Sequence, residues 1–571
     1  MTSDTQASSP GQSSAGAPWL RIAGIVLTVG YVICAVITLV WAARLRFQLP
    51  QNPIIDPDIE GYLGPALAAL AGKPFPHLVG RSFPYPAFVL LIFRIFGDFR
   101  AIPVVQHILG LCAGVLILFA WNAVHDLIPG AVIPKPVFRY MGFAPAFVFL
   151  GSATAIEFEH QIRPEAIFPF LAILNIWLSF RFLDARFIRP RGAYFWFGTF
   201  NAFVSILLYM AKPSFGVATV LTSLPVWISL VLPGRSLRDR GALAAASILP
   251  ALLLLVLPEH FMKRSDPFSY TFLPETLLSA HAEIIEQQMG EDLASNAPLP
   301  FPRDEVQAAY EMLGAELRKA PAVIAPQEEA LTSYKPDYLL LEYIMYGNSF
   351  CKNFPAQMHL TAQQFGHFCM TWYLRAFLHH PGAMVVHAQG QLALFYAPKN
   401  PSYWLGKSMD LSTVQYARAP HLMAFATSLG AVSPAVTRYI EACTRLAGEG
   451  IAIPQSKRLI AWIRYFSTRY NDLLWITLAC PLLLIFPPLR RHFFWLIVAL
   501  WLAYSYNFGN SLTIAFVHSM EVNRYVRVQL IFTIFSQCLT LGVLLELAAF
   551  AIREGISRFR PIHPKTAVPA G

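Results

Sequence analysis

Three carboxylates stand close together just after the first long apolar segment of this 571-residue chain. They are Asp56, Asp58 and Glu60, within NPIIDPDIEGYLGPALAALAGKPF. Carboxylates this close repel one another unless a cation or a substrate hydroxyl lies nearby, and such repulsion can make one of them basic enough to act as a general base. The same residues also fit a structural role, with Asp58 as the N-cap of a helix over 59–71 and Glu60 in its first turn. Both interpretations are open at this point.

Five more ionisable residues lie within SATAIEFEHQIRPEAIFPF: Glu157, Glu159, His160, Arg163 and Glu165. Pro164 suits the first position of the following helix, which would put Glu165 in its first turn, where the helix dipole favours a carboxylate. The dipole accounts for Glu165 alone and leaves the other four residues unexplained. We therefore predict a functional role for part of this group.

Three basic residues complete the candidates. Lys212 lies in the turn YMAKPSF, and Arg524 and Arg527 lie in HSMEVNRYVRVQL, before the last apolar segment. Long cationic side chains at the end of a membrane helix often reach lipid headgroups. They also suit a lipid phosphate, which Arg binds through two parallel hydrogen bonds and Lys binds as a point charge.

Membrane helices must position these residues. Hydrophobic residues make up 56% of the chain and charged residues 13%, whereas about a quarter of the residues in a soluble protein are charged. Ten apolar segments can cover the roughly 30 Å of a bilayer core, namely 20–43, 102–124, 138–156, 164–184, 193–211, 214–233, 241–257, 472–488, 492–507 and 526–551. We predict an all-α polytopic membrane protein with about ten transmembrane helices and no cleaved signal peptide.

Basic residues concentrate in three short connections and the C-terminal tail: Arg181, Arg186, Arg189 and Arg191; Arg235, Arg238 and Arg240; Arg490 and Arg491; and Arg553, Arg558, Arg560 and Lys565. Because such residues favour the cytoplasmic side, both termini are predicted to be cytoplasmic, in a multi-pass protein of the inner (cytoplasmic) membrane. The segments predicted outside are 44–101, 157–163, 258–471 and 508–525. Arg44 and Arg46 run against this rule. The net charge of +10 follows from the topology, and we expect no nucleic-acid partner.

Composition divides the chain into five predicted parts: a disordered cytoplasmic tail (1–19), a membrane module (20–257) with its first outer loop (44–101), an outer domain (258–471), C-terminal membrane helices (472–551) and a basic cytoplasmic tail (552–571). Apolar residues at helical spacing over 303–319 and 361–379 predict that the outer domain is mostly helical. It also contains Cys351, Cys369 and Cys443, and an oxidising outer compartment would permit one disulfide among them.

Several motifs resemble the GT-C superfamily of integral-membrane glycosyltransferases, in particular its protein mannosyltransferase, lipid A aminoarabinose transferase and arabinofuranosyltransferase group. DPDIEGYLGPALAALAGKPF and GRSFPYPAFVLLIFRIFGDFRAIPVVQH are similar to its first outer loop. EFEHQIRPEAIFPFLAIL is similar to its second outer loop, MAKPSFGV to its Lys-Pro element and EVNRYVRV to its Arg-Tyr element. The similarity covers about 1–257 and 472–551.

The resemblance implies inverting transfer of a sugar from a polyprenyl-phosphate donor to an envelope glycan, lipid or protein acceptor on the outer face. Asp58 or Asp56 would deprotonate the acceptor hydroxyl, and Asp58 is preferred because it lies closer to Tyr62. The remaining implied roles are acceptor or metal orientation for Glu165, His160 and Glu60, and binding of the donor phosphate for Lys212, Arg524 and Arg163. A divalent metal ion is the only cofactor implied, without an assigned set of ligands, and histidine would be an unusual ligand for Mg²⁺.

A transporter or lipid flippase without bond-making is the competing hypothesis. Transporters tend to have repeated halves and broken helices with polar groups at the bilayer midplane. In this sequence the centres of the predicted spans carry almost no charge, and the ionisable residues collect at one membrane face, which favours an enzyme. A non-catalytic scaffold would leave the acidic clusters without a purpose.

Overall fold

A computed structural model describes residues 18–55, 58–75, 81–232, 236–265, 271–295, 298–330, 336–395, 416–454, 456–518, 525 and 527–559. The described residues form these α-helices: α1 Pro18–Phe47, α2 Ile59–Leu70, α3 Pro84–Phe96, α4 Ala101–Asp126, α5 Lys135–Met141, α6 Phe143–Gly151, α7 Ala153–His160, α8 Phe168–Leu183, α9 Tyr194–Ala211, α10 Gly216–Val231, α11 Leu237–Ala251, α12 Leu257–Ser265, α13 Leu273–Ala280, α14 Ala282–Ala294, α15 Arg303–Ala330, α16 Pro336–Tyr346, α17 Phe350–Gln357, α18 Ala362–His379, α19 Pro381–Phe395, α20 Ala419–Ser428, α21 Pro434–Leu446, α22 Lys457–Thr468, α23 Tyr470–Ala479, α24 Pro487–Val517 and α25 Leu530–Phe559. One parallel β bridge pairs Ile54 with Gln161.

Among these residues, seven helical segments are long and apolar enough to cross a membrane. An eighth results if the bent pair Lys135–Gly151 and Ala153–His160, with an angle of 49° between its parts, is one span. The prediction of an all-α polytopic membrane protein is therefore confirmed.

The predicted total of ten spans is not confirmed. In place of the predicted span 472–488 there is a shorter apolar helical segment over Asp472–Ile485. The predicted span 492–507 lies inside α24, whose buried positions include Asn507 and Asn510. Polar residues interrupt the apolar run of α24, which is why its sequence signal for a span is weaker than that of the others.

Side-chain hydrogen bonds join α8, α9 and α24 inside the bundle. The Asn175 amide donates to Ser205 Oγ at 2.8 Å, and the Asn201 amide donates to Ser179 Oγ at 2.8 Å. The Tyr506 hydroxyl donates to Asn175 Oδ1, also at 2.8 Å. Lipid tails are as apolar as leucine side chains, so membrane helices associate through close packing and through polar contacts of this kind.

Helix α4 runs between two polar clusters. Near its N-terminal end His107 contacts Glu159, and at its C-terminal end Asp126 is paired with Lys135 and Arg189. At 1.5 Å per residue these two positions on α4 are about 28 Å apart, which is close to the thickness of the hydrocarbon core. We call the two ends of the bundle the Glu159 end and the Asp126 end.

The described part of 258–471 is helical, and the predicted helical segments 303–319 and 361–379 are confirmed by α15 and α18. Helices α13 to α18, with the start of α19, share a hydrophobic core of their own. Helices α20 and α21 pack instead on the first outer loop, where the Tyr416 hydroxyl donates to the Asn52 carbonyl and the Tyr439 hydroxyl to the Pro53 carbonyl. Helix α22 packs against the membrane helices.

All seven cysteines are described, and all are free thiols. Cys351 and Cys369 are buried in the core of α13 to α18, whereas Cys443 lies between α21 and the first outer loop. The structure therefore contains no disulfide of the kind that the sequence permitted.

The first outer loop folds as two helices that pack on each other. The Tyr62 ring of α2 meets the Tyr85 ring of α3 edge to face, with 5.6 Å between the ring centroids. Helix α3 ends at Gly97, whose φ of +65° is left-handed and favours glycine. The Ile54 N–H donates to the His160 carbonyl at 2.7 Å, so the chain before α2 is attached to residues 157–165, which we call the second outer loop after its predicted location.

Candidate functional site

Asp58 occupies the N-cap position of α2, as predicted, but its side chain makes no capping hydrogen bond. Its Oδ2 accepts a hydrogen bond from Arg163 Nη2 at 2.8 Å, and its Oδ1 lies 3.1 Å from Arg81 Nη2. The Asp58 side chain keeps 26% of its surface exposed, whereas Arg163 keeps 5%. The helix start explains the position of Asp58, but the two guanidinium groups determine where its carboxylate points.

Lys212 and Glu165 form a second ion pair. Lys212 Nζ donates to Glu165 Oε1 at 2.8 Å, and both side chains are buried. Glu165 lies in a 3₁₀ turn over Pro164–Ala166, so it precedes α8 and does not lie in its first turn as predicted. Lys212 Nζ also lies 5.2 Å from the centre of the Tyr525 ring. Two buried charges in this position depend on each other, because neither is solvated by bulk water.

Tyr62 connects the two ion pairs. The Arg81 guanidinium lies 4.8 Å from the centre of its ring. Burial raises the pKa of Tyr62 above its ordinary value, Arg81 lowers it, and the carboxylates of Glu165 and Asp58 raise it further. Arg163 of one pair and Glu165 of the other are only two positions apart, at the start of the same 3₁₀ turn, so the two pairs lie next to each other in one site.

Helix α16 of the segment 258–471 reaches the same site with its last residue, Tyr346. Desolvation raises the pKa of Tyr346 to about 12, and the nearby carboxylates of Glu342 and Asp58 add to this effect, whereas Arg81 opposes it. Tyr346 is 58% exposed.

A buried network lies beside these pairs at the Glu159 end. Arg46 is fully buried and makes a bidentate contact with Glu159, at 2.7 Å from Nε to Oε2 and 2.9 Å from Nη2 to Oε1. His107 Nδ1 lies 2.7 Å from the same Oε2. The His160 ring is buried, with its centroid 4.6 Å from that of His107. The network joins α1, α4 and α7 and positions the second outer loop.

Glu157 has a partner of its own in Arg527, whose Nη2 donates to Glu157 Oε2. The Gln161 amide also donates to Glu157, at 3.1 Å, and the Arg527 guanidinium packs over the Phe158 ring. The charged members of the group that the sequence singled out are therefore each matched with an opposite charge from another stretch of chain: Glu157 with Arg527, Glu159 with Arg46, Arg163 with Asp58, and Glu165 with Lys212.

The other predicted site residues are Glu60, Asp56, Arg524 and His160. Glu60 is exposed on α2 and makes no hydrogen bond or ion pair with any described residue. Asp56 and Arg524 lie outside the described residues. His160 lies in the buried network, apart from the Asp58 pair.

Sequence reasoning did not identify Arg46, Arg81 or His107 as site residues. Arg46 had a usable signal, because a cation at the outer end of the first span runs against the positive-inside rule, and a buried carboxylate is a reason for such an exception. Arg81 and His107 carried no such signal. They are site residues because Arg81 contacts Asp58 and His107 contacts Glu159, and these contacts exist only in the folded protein.

The described residues do not form an evident metal centre. Among them, no three histidine, cysteine, aspartate or glutamate side chains converge as ligands. The carboxylates of Asp58 and Glu165 are already paired with cations.

These features define a multi-pass, all-α membrane protein with a cluster of buried and half-buried ion pairs at one end of its bundle. The chain matches no family model, no curated protein and no solved structure.

Proposed function

We propose that the protein is an inverting glycosyltransferase of the GT-C type, which moves a sugar from a polyprenyl-phosphate donor to an envelope acceptor at the outer face of the inner membrane. The observation that supports this proposal best is the meeting of Asp58, Arg163, Glu165 and Lys212, which come from three separate stretches of the chain. This transfer requires a carboxylate that accepts a proton from the acceptor, and cations that stabilise the phosphate leaving group.

The reaction exchanges one bond at the anomeric carbon. The acceptor oxygen forms a new bond to that carbon as the bond from the carbon to the phosphate oxygen breaks. The acceptor proton passes to the carboxylate of Asp58, or to Asp56 if that residue is the base. The departing polyprenyl phosphate gains one negative charge, which Lys212 and Arg163 stabilise.

The resting arrangement suggests how the two roles are coupled. Arg163 donates to Asp58 at 2.8 Å, so a cation suited to the donor phosphate is bound to a candidate base before substrate arrives. A phosphate group competes well for a guanidinium because it accepts two parallel hydrogen bonds. When Arg163 turns to the phosphate, Asp58 Oδ2 is released to accept the acceptor hydroxyl. Donor binding then precedes activation of the base.

The test is release of polyprenyl phosphate, followed by mass spectrometry. The purified full-length protein is incubated with polyprenyl-phosphate-linked hexoses, pentoses and uronic acids and with candidate acceptors. We expect release with at least one donor and a loss of about 10²-fold or more in Asp58→Asn, because general-base catalysis contributes about 10²- to 10⁴-fold. Glu449→Gln is the control, since this carboxylate is exposed after α21 and makes no ion pair with any described residue, and it should retain the activity of the unaltered protein.

The result assigns the base and can refute the mechanism. Loss of activity in Asp56→Asn with normal activity in Asp58→Asn would move the base to Asp56. Full activity in the double variant Asp56→Asn/Asp58→Asn, or no release with any donor, would contradict the proposal. Movement of the lipid-linked sugar across a vesicle membrane without release of polyprenyl phosphate would identify a flippase.

A further inference from the structure

A polar pocket of about 290 Å³ lies between the first outer loop and α21. Its lining includes Asn52, Asp98 and Arg100 from the loop, and Arg438, Glu441 and Arg445 from the helix. Its floor is rigid, because the buried rings of Phe99 and Tyr439 are stacked at 4.6 Å and the Tyr439 hydroxyl donates to the Pro53 carbonyl at 2.6 Å.

The cations of this pocket are only partly neutralised. Arg100 binds Asp98, with 2.9 Å between Nη2 and Oδ2. Arg438 and Arg445 form no ion pair with any described residue, although Glu441 lies between them on the same helix. Three guanidinium groups and two carboxylates leave the pocket with a formal charge of +1. The two exposed arginines of α21 therefore offer donors to an anion from outside.

Part of the pocket lining and Asp58 belong to the same segment of chain, 44–101. Asn52 lies six positions before Asp58 on a chain that is extended around the bridge at Ile54. Six residues span at most about 20 Å, so one extended molecule can reach from the pocket to Asp58. Arginines on the predicted outer side are also not explained by the positive-inside rule.

We propose that this pocket binds a negatively charged sugar unit, carrying a carboxylate or a phosphate, of the acceptor glycan. Arginine suits such a group because its planar guanidinium matches the geometry of a carboxylate or phosphate. Among the described lining residues only Phe99, Tyr439 and Ala442 are not charged or amide side chains, which suits a sugar better than a lipid tail. The assignment of this sugar to the acceptor rests on the proposed glycosyltransferase function. The binding of an anion in the pocket does not depend on that function.

The test is calorimetric titration of the full-length protein in detergent, without donor, using tetragalacturonate as probe and maltotetraose as the neutral probe of equal length. We expect tetragalacturonate to bind with an affinity that falls as salt is raised, and maltotetraose not to bind. The double variant Arg438→Gln/Arg445→Gln should weaken tetragalacturonate binding by about tenfold or more, because charge-assisted hydrogen bonds of about 1.5 kcal/mol or more are lost. Glu441→Gln should strengthen it.

Arg94→Gln is the matched control, because Arg94 is exposed on α3 in the same loop but does not line the pocket, and it should leave binding unchanged. The thermal unfolding midpoint of each variant shows whether it is folded. Equal binding of both probes, or equal weakening by Arg94→Gln, would overturn the proposal. The proposal would also be overturned if the protein did not bind tetragalacturonate but did bind phosphatidylglycerol nanodiscs in a way that depends on Arg438 and Arg445. If no sugar transfer is found but the binding results hold, the pocket stands and the proposed function fails.

Discussion

Replacing Lys212 with methionine removes the ammonium from a buried ion pair and keeps most of the side-chain volume. Lys212 is 7% exposed and Glu165 is 3% exposed, and 2.8 Å separate the bonded atoms. Removing one partner of such a pair leaves a buried charge without compensation, which typically costs about 3–5 kcal/mol. We therefore expect Lys212→Met to lower the unfolding free energy by about that amount. Lys73→Met, at an exposed lysine of the first outer loop, should change it by less than about 0.5 kcal/mol.

The double variant Lys212→Met/Glu165→Gln separates stability from function. With both charges gone, most of the loss should be recovered, because replacing a whole buried pair is often close to neutral. Sugar transfer should remain about 10²- to 10³-fold below that of the unaltered protein, because an electrostatic contact to the leaving group is still missing.

The assays are intrinsic tryptophan fluorescence during denaturant or thermal unfolding, and release of polyprenyl phosphate. A double variant no more stable than Lys212→Met would refute the pairing of these two charges. A double variant with restored stability and full transfer activity would show that the pair is structural and that Lys212 does not stabilise the donor phosphate.

Three further predictions concern other parts of the molecule. A Cβ at Gly110 would clash with Glu159 Oε1, so Gly110→Ala should displace that carboxylate and lower the thermal midpoint, at a cost of about 1–3 kcal/mol. Gly24→Ala is the control, because a Cβ at Gly24 would lie in open space, and it should not lower the midpoint. Burial raises the pKa of Glu275 to about 7, above an unfolded value of about 4.3, so the unfolding free energy falls as pH rises from about 4.5 to 7. Glu275→Gln should therefore stabilise the protein by about 1–2 kcal/mol at pH 8, allowing for partial exposure. Equal effects of this substitution at pH 4 and pH 8 would contradict the prediction. Alkylation of the denatured, unreduced protein should add seven labels, counted by mass spectrometry, because all seven cysteines are free thiols. A smaller number of labels would reveal a disulfide.

The pairing of charges has a consequence for the whole Glu159 end. The Asp58–Arg163 pair joins the first and second outer loops, the Glu165–Lys212 pair joins the second outer loop to the end of α9, and the Glu159–Arg46 pair joins it to α1. The second outer loop is therefore held from three sides. The backbone of this loop is preorganised, because little of its conformational freedom remains to be lost when substrate binds.

Much of the fold follows from local patterns. Apolar runs, a cap position before α2 and helical spacing in α15 and α18 are properties of neighbouring residues, and each could be identified without knowing where the chain goes next. The spans near 472–507 were less predictable, because α24 buries amides such as Asn507, which bonds to Thr533, where the hydrophobic pattern expects apolar residues.

The sequence by itself determined that this chain lies in a membrane and that its ionisable residues collect in a few connections, since hydrophobicity and charge are counted residue by residue. Only the tertiary structure decided which cation meets which carboxylate. The partners are separated by 47 positions for Lys212 and Glu165, and by 113 for Arg46 and Glu159. Pairing at such separations depends on how the helices pack, so a cluster of carboxylates in the sequence becomes a set of matched ion pairs only in the folded protein.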